Sequence, residues 1–182
     1  AAEHRLGSTE NGATGRNPAR CTLAQNFNAS ARDSIGTQTT AIKATLTAGA
    51  QLNATAGSGG INLDITGSAR VVALRADQNS GAYGDVRVQA TGSLEAVATG
   101  APNVVGRNIT LVSEEGSIGS TSNLMQMRAA ATQLPNGSHV DGVVNVRARG
   151  DIGIAQTVGD LRARIEQLRR ILAAEGLFDA ER

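Results

Sequence analysis

Short runs in which apolar and polar residues alternate occupy the chain from about residue 33 to residue 157. Alternation with a period of two places one row of side chains in a core and the other in solvent, as in β-strands. Each run is short and is bounded by Gly, Asn, Asp or Ser, which are typical turn residues. The clearest runs are Ile61–Ile65, Val86–Ala90, Ile109–Val112, Val144–Arg147 and Ile152–Ile154. No apolar pattern of helical length interrupts them, so we expect an all-β fold without βαβ units.

The spacing of these runs predicts repetition. Nineteen residues separate Ile42 from Ile61, and nineteen separate Leu52 from Val71, so we expect each pair to stack in register. A longer repeat relates Ser34–Thr37 to Ser117–Ser120. Repeats near twenty residues favour a solenoid, because one coil cannot bury its inner face alone. The alternative is a β-sandwich with hairpins, for which only the Asn-Gly and Asp-Gly turns at 136–137 and 141–142 provide a signal.

The two ends of the chain differ from the repeats. Residues 1–32 are rich in Gly, Asn, Ser and Thr and predict a polar, flexible arm, so the β-helix repeats are assigned to residues 33–158. Residues 159–182 predict an amphipathic α-helix, with Asp160 as N-cap and Gly176 at its end. We expect this helix to cap the exposed last coil. Its apolar positions are Leu161, Ile165, Leu168, Ile171 and Leu172.

Composition narrows the function classes. Of 182 residues only 2% are aromatic, and the 22 glycines follow no three-residue period, which excludes collagen. A net charge of +1 disfavours a strongly basic nucleic-acid-binding protein, so no nucleic-acid partner is expected. The lone Cys21 excludes an intrachain disulfide or a thiolate metal cluster. No apolar run is long enough for a membrane-spanning helix.

Three segments resemble the filamentous haemagglutinin family, the exported adhesins of two-partner secretion systems. These segments are Gly116–Ser120, Gly150–Gly153 and Asn108–Ser113, and the resemblance covers residues of about 33 to 160. It implies a right-handed parallel β-helix, a secreted or cell-surface location, export through an outer-membrane secretion partner, and a receptor on a host or neighbouring cell. The family's N-terminal secretion domain has no match here. The resemblance therefore implies a structural, adhesive piece of the shaft with no catalysis.

The end of the chain resembles a different family. Residues Ile165–Arg182, and above all Leu172–Asp179, are similar to a segment of the exonuclease VII large subunit. Chance, a gene fusion and a chain cut off before a nuclease remain open as explanations. The alternative function is accordingly a fragment of a nucleic-acid-processing subunit, for which a five-stranded barrel would be expected instead of a β-helix.

No arrangement of reactive residues predicts catalysis, a cofactor or a metal site. Ser138, His139 and Asp141 are too close in sequence to form a triad, and His139 and His4 are expected in solvent. Carboxylates for carbohydrate cleavage could come from Asp64, Asp85, Glu114 and Glu115, which leaves a carbohydrate-binding or -cleaving β-helix as a further alternative. Gly57–Asp64 resembles a calcium-binding Gly-Asp repeat, but its Asp is misplaced and does not recur.

One tripeptide predicts a contact site. Arg149, Gly150 and Asp151 form the sequence that many integrins bind, and some members of the resembled family carry it. The same Gly-Asp pair also suits an ordinary repeat turn. We also expect end-to-end self-association, because the ends of a parallel β-helix leave strand edges unpaired. Asn-x-Ser/Thr sequons occur at Asn28, Asn53, Asn108 and Asn136.

Overall fold

A computed structural model describes residues 20–77, 83–133 and 139–156, and these residues form strands joined by turns. No α-helix occurs in these three ranges. Within the same ranges, no helix is long and apolar enough to span a membrane. The strands are β1 (Arg20–Ser30), β2 (Ser34–Ile35), β3 (Ile42–Ala56), β4 (Gly60–Thr66), β5 (Ala69–Ala76), β6 (Val86–Ala90), β7 (Leu94–Ala96), β8 (Val104–Gly106), β9 (Ile109–Ser113), β10 (Met125–Ala129), β11 (Thr132–Gln133), β12 (His139–Val140), β13 (Val144–Ala148) and β14 (Ile154–Gln156).

Twelve of these strands form one curled sheet. Nine follow a continuous path in the order β13-β9-β6-β4-β3-β5-β8-β10-β14, and β1, β2 and β7 pair with members of that path. Every pairing in this sheet is parallel, while β11 and β12 form a separate antiparallel pair. The all-β prediction is confirmed. The hairpin-joined sandwich is wrong for this sheet, because its neighbouring strands run in the same direction.

The predicted alternation determines which side chains form the core. From Ile61 onward in β4, and throughout β6 and β9, every second residue is buried, and the residues between them are partly or fully exposed. The inward residues of β1 to β10 pack into one hydrophobic cluster. Its largest fully buried members are aliphatic: Leu52, Ile61, Leu63, Ile65, Leu74, Leu94, Ile109, Leu111, Ile118, Met125, Met127 and Val71. A narrow core of this kind explains why the chain needs so few aromatic residues.

The predicted nineteen-residue register is correct in one half of β3 and wrong in the other. Leu52 pairs with Val71 as expected, but Ile42 pairs with Leu63 instead of Ile61. A shift of two residues keeps the same side chains on the core face, so the apolar pattern alone could not distinguish the two partners. Between the two paired halves of β3, the chain bends at Gly49, whose φ is +79°.

The boundary of the predicted polar arm also needs correction. Residues 20–30 form β1, which pairs in parallel with β3, so this part of the arm belongs to the sheet. The physical reason is Phe27, which is only 2% exposed and packs into the core between outward-facing polar neighbours. Residues 1–19, and the helix predicted over 159–182, lie outside the described residues.

The longer repeat corresponds to the same local structure at two places. Ile35 and Ile118 are both buried, and the glycines that follow, Gly36 and Gly119, have φ values of +75° and +62°. A tight turn follows each glycine: the Thr37 amide donates to the Thr40 carbonyl, and the Ser120 amide donates to the Asn123 carbonyl. Glycine recurs because the left-handed conformation is costly for other residues.

Candidate functional site

A column of turns runs across the sheet and ends at the predicted contact tripeptide. The Ser93 amide donates to Ser68 Oγ (2.9 Å), the Ser117 amide donates to Ser93 Oγ (3.1 Å), and the Asp151 amide donates to Ser117 Oγ (3.0 Å). These pairs are 25, 24 and 34 residues apart. Each hydroxyl thus satisfies an amide of the next turn. We call this column the serine ladder (Ser68, Ser93, Ser117).

Backbone hydrogen bonds run in the opposite direction along the same column. The amides of Ala69, Leu94 and Ile118 donate to the carbonyls of Ser93, Ser117 and Asp151, each at 2.9 Å. Because each turn both donates to and accepts from its neighbour, the turns are held in register. A Gly precedes each polar residue of the column, at positions 67, 92, 116 and 150. The recurring Gly-Ser dipeptide is the signal that could have given this repeat from the sequence.

Arg149, Gly150 and Asp151 form the last turn of this column. All three residues are exposed. The Arg149 amide donates to the Ser113 carbonyl (3.3 Å), and the Gly150 amide donates to the Gly116 carbonyl (2.9 Å). The backbone is therefore anchored to the preceding turn, while a guanidinium and a carboxylate two residues apart are accessible to a partner.

Stacking on the preceding turn favours glycine in this tripeptide. A Cβ built at Gly150 would overlap Ser117 Oγ, which accepts the Asp151 amide. The glycine therefore has a reason to be there that is independent of any receptor. What remains specific to this last turn is Asp151, which stands where the preceding turns have serine.

A second column joins the turns before β6, β9 and β13. The Asp85 carboxylate accepts hydrogen bonds from Arg107 Nε (2.8 Å) and Nη2 (2.9 Å), and from the amide and side-chain nitrogens of Asn108 (3.2 and 3.0 Å). Asn108 Oδ1 then accepts the Val143 amide (3.1 Å). Hydrogen bonding to Arg107 lowers the pKa of Asp85, and the same contact raises the pKa of Arg107. Asp85 is thereby held as an anion that links two turns.

Of the four carboxylates considered for carbohydrate cleavage, two form ion pairs, one accepts a hydrogen bond from a glutamine and one is exposed. Asp64 lies on β4 and forms an ion pair with Lys43 (3.4 Å), while Asp85 lies just before β6. Glu114 accepts a hydrogen bond from Gln89 (2.7 Å), and Glu115 is exposed. The structure therefore brings Asp64 and Asp85 to cationic partners. In the described ranges, no group of three His, Cys, Asp or Glu residues could hold a metal ion.

The remaining predicted residues are placed as follows. The backbone of His139 lies in β12 opposite Gln133, and Asp141 is exposed. His4, Ser138 and the Asn136 sequon lie outside the described residues. The Asn28 and Asn53 sequons are exposed neighbours on β1 and β3.

A buried amide that the sequence reasoning missed closes a loop. Asn103 is 2% exposed, and its Nδ2 donates to the carbonyls of Val71 (3.0 Å) and Val97 (2.7 Å). Its Oδ1 accepts the Gln126 amide (3.1 Å). The side chain thus closes the loop that connects β7 to β8 and fixes it to β5 and β10. A lone Asn beside Pro102 carries no sequence signal for such a role.

The outward face of the sheet carries a row of polar side chains. Asn62, Arg87, Thr110 and Asn145 are register partners on β4, β6, β9 and β13. Arg87, Thr110 and Asn145, together with Arg147, line a shallow groove of about 360 Å³. We call the register partners Asn62, Arg87, Thr110 and Asn145 the polar row.

Comparison of the chain with protein-family models, curated proteins and solved structures finds no match.

Proposed function

We propose that the curled sheet is a right-handed parallel β-helix and that the chain is a structural and adhesive shaft segment of a secreted bacterial surface protein. The observation that carries this proposal is the serine ladder, in which turns 24 to 34 residues apart stack in register. The column at Asp85, Asn108 and Val143 supports it, with separations of 23 and 35 residues. In a β-helix each such separation is one circuit of the chain.

The right hand of the β-helix follows from general sterics. Connections between parallel strands of one sheet are right-handed in about 98% of cases, because a twisted strand packs back onto its sheet only that way. Each circuit would lengthen the shaft by the ordinary strand spacing of about 4.8 Å.

A mechanical role is supported by how the polar side chains are used. Ser68, Ser93, Ser117, Asp85 and Asn108 all bind groups of a neighbouring turn. Such bonds lock consecutive turns together and would let a longer stack hold a binding region away from a cell. The resemblance to the filamentous haemagglutinin family adds the proposed context: export through an outer-membrane secretion partner and contact with a cell-surface receptor.

Paired cysteines test the stacking directly. In a Cys21→Ser background, Ser68→Cys with Ser93→Cys, and Ser93→Cys with Ser117→Cys, should each form a disulfide, because neighbouring parallel strands bring Cα atoms to about 5 Å. The matched control is Ser68→Cys with Ser117→Cys, two turns apart and beyond the range of about 7 Å. Cross-linking in the control, or its absence in both test pairs, would contradict the stacking.

Adhesion is tested with beads coated with the purified chain and host cells that bear integrins. Saturable attachment that is reduced by Asp151→Glu, but not by Asp141→Glu, would support a contact through Arg149–Asp151. Both changes keep the charge and lengthen the carboxylate by one methylene. Attachment no greater than that of albumin-coated beads would count against an adhesive role.

Carbohydrate binding is a second candidate, supported by the polar row. Three of its side chains, Arg87, Thr110 and Asn145, place hydrogen-bond donors and acceptors along the groove, one on each of three neighbouring strands. Arg87→Ala with Asn145→Ala should weaken retention on an immobilised acidic polysaccharide, whereas Gln51→Ala with Asn53→Ala on exposed positions of β3 should not. Equal retention of both variants would exclude this groove.

The nucleic-acid-processing alternative depends on residues 165–182, which lie outside the described residues. The sheet itself is parallel, which differs from the five-stranded Greek-key barrel of an OB domain. The shaft is therefore the function that the described residues support best.

A further inference from the structure

The last strands along the chain leave apolar side chains in contact with solvent. Val143 is 52% exposed, Ile152 is 47% exposed and Ile154 is 40% exposed, while Val144 and Val146 are half-buried. We call these five residues the terminal apolar patch. They lie within twelve residues of each other in sequence, on β13, on β14 and in the turns just before them.

Register shows why these residues are exposed. Ile152 pairs with Ile118, and Ile154 pairs with Met125, and both partners are 0% exposed. Val144 and Val146 likewise pair with Ile109 and Leu111, which are also fully buried. Ile152, Ile154, Val144 and Val146 therefore continue the rows of the core, while Val143 lies beside them in the turn before β13. The residues of the patch are uncovered because no further strand lies over them in the described residues.

We propose that residues 157–182 of this chain cover the terminal apolar patch. The chain leaves β14 at Gln156, at the edge of the patch, so the segment that follows starts where a cover is needed. Leu161, Ile165 and Leu168 recur at three- and four-residue intervals, with arginines between them. Such spacing places apolar side chains on one face and charges on the other if the segment is helical.

The contact would be favoured because it buries apolar surface both on the terminal apolar patch and on the covering segment. Each aliphatic side chain removed from water stabilises the covered state. Covering the patch also hides the edges of β13 and β14 that no strand of the described residues pairs with, and such edges otherwise favour association with another chain. This inference goes beyond the shaft function, because a covered patch ends the stack at this point.

The test measures the accessibility of a thiol within the patch in the full chain. Ile152→Cys in the Cys21→Ser background is reacted with a maleimide at low micromolar protein concentration, and Asn145→Cys on the outward face of β13 is the exposed reference. We expect Ile152→Cys to react at least about tenfold more slowly than the reference, as expected for a site closed by 1.4 kcal/mol or more.

Two variants of the covering segment identify the occupant. Ile165→Asn with Leu168→Asn should raise the labelling rate at position 152 by about tenfold, since each change removes apolar contact area. The matched control, Arg164→Asn with Arg169→Asn, should leave that rate unchanged. Circular dichroism of both variants establishes that the sheet is intact.

Each remaining outcome overturns the proposal. Labelling of Ile152→Cys as fast as the reference would mean that the patch is open. Slow labelling that accelerates on dilution, with a dimer in light scattering, would assign the patch to a second copy. Equal effects of the apolar and arginine variants would mean that the segment does not cover the patch through its apolar face.

Discussion

At the scale of single residues, two glycines separate the cost of a left-handed backbone conformation from the cost of a steric clash. Gly119 and Gly49 both have a positive φ, but a Cβ at Gly119 would overlap the Gly153 carbonyl, whereas nothing lies within 4 Å of a Cβ at Gly49. The left-handed conformation alone costs a non-glycine residue about 1–2 kcal/mol. The clash at Gly119 adds to that cost because the neighbouring backbone is itself held in register.

We therefore expect Gly49→Ala to lower the free energy of unfolding by about 1 kcal/mol and Gly119→Ala to lower it by about 3 kcal/mol or more. Urea unfolding of both variants measures the difference, provided that the slopes of the two transitions agree. Equal losses would show that the strands around Gly119 and Gly153 can move apart without cost.

The Asp85 carboxylate predicts a pH dependence of stability. Its pKa is lower in the folded chain than in the unfolded chain, mainly because Arg107 donates to it. Stability from this group is therefore fully present above the unfolded value of about 3.9 and is lost as the pH falls through the lower folded value.

Asp85→Asn should accordingly lower stability by about 1 kcal/mol at neutral pH and by less at pH values below about 3.9, where the unfolded carboxylate takes up a proton and the contribution of the ionised group is being lost. Urea midpoints at pH 7 and pH 2.5 test this, with Asp64→Asn, which alters a more exposed ion pair, for comparison. A loss of the same size at both pH values would contradict the role of the ionised carboxylate.

At the scale of elements, β1 shows how one side chain can bring a polar segment into the sheet. The side chains of Asn26 and Asn28 are exposed, and Phe27 between them is buried. Phe27→Ala should cost about 3–5 kcal/mol, whereas Asn28→Ala should be nearly neutral. Thermal unfolding of both variants measures this contrast, and a neutral Phe27→Ala would mean that β1 contributes little to the fold.

The elements also show what sequence reasoning could reach. Strands β4, β6, β9 and β13 match the predicted runs to within a residue at each end, because alternation is a local property. The partner of Ile42 was missed because registers two residues apart bury the same side chains. The serine ladder was missed because its separations vary from 24 to 34 residues, so no fixed period aligns its turns.

The candidate site was likewise only partly predictable from the sequence. The sequence identified Arg149–Asp151 as a turn, and the structure places these residues in an exposed turn. Nothing in the sequence connected that turn to Ser117, or Asp85 to Arg107, because both contacts depend on how distant segments stack. Local chemistry was therefore predictable, whereas its structural partners were not.

At the scale of the whole molecule, strands β1 to β10 share one hydrophobic cluster. Tyr83, the only tyrosine, accepts a hydrogen bond from Arg128 on β10 (2.9 Å), and the guanidinium lies 5.7 Å from the ring centre. A shared core favours cooperative unfolding. We expect the midpoint of tyrosine fluorescence to coincide with that of the β-sheet signal in far-ultraviolet circular dichroism.

The control for this prediction is Arg128→Met, which removes the hydrogen bond to Tyr83. It should change the fluorescence of the folded state while leaving the two midpoints coincident. An earlier fluorescence transition in the unaltered chain would mean that the region around Tyr83 and β10 unfolds separately from the rest of the sheet.

The buried amide of Asn103 has a consequence for how such a chain can diversify. Because this one side chain closes the base of the loop at residues 97–103, the exposed tip at Thr99–Ala101 contributes little to the packing of the strands. Foreign peptide inserted at the tip would be displayed on the flank of the curled sheet without altering the strand register. The loop is thus a natural position for evolution, or for protein engineering, to attach a new recognition element.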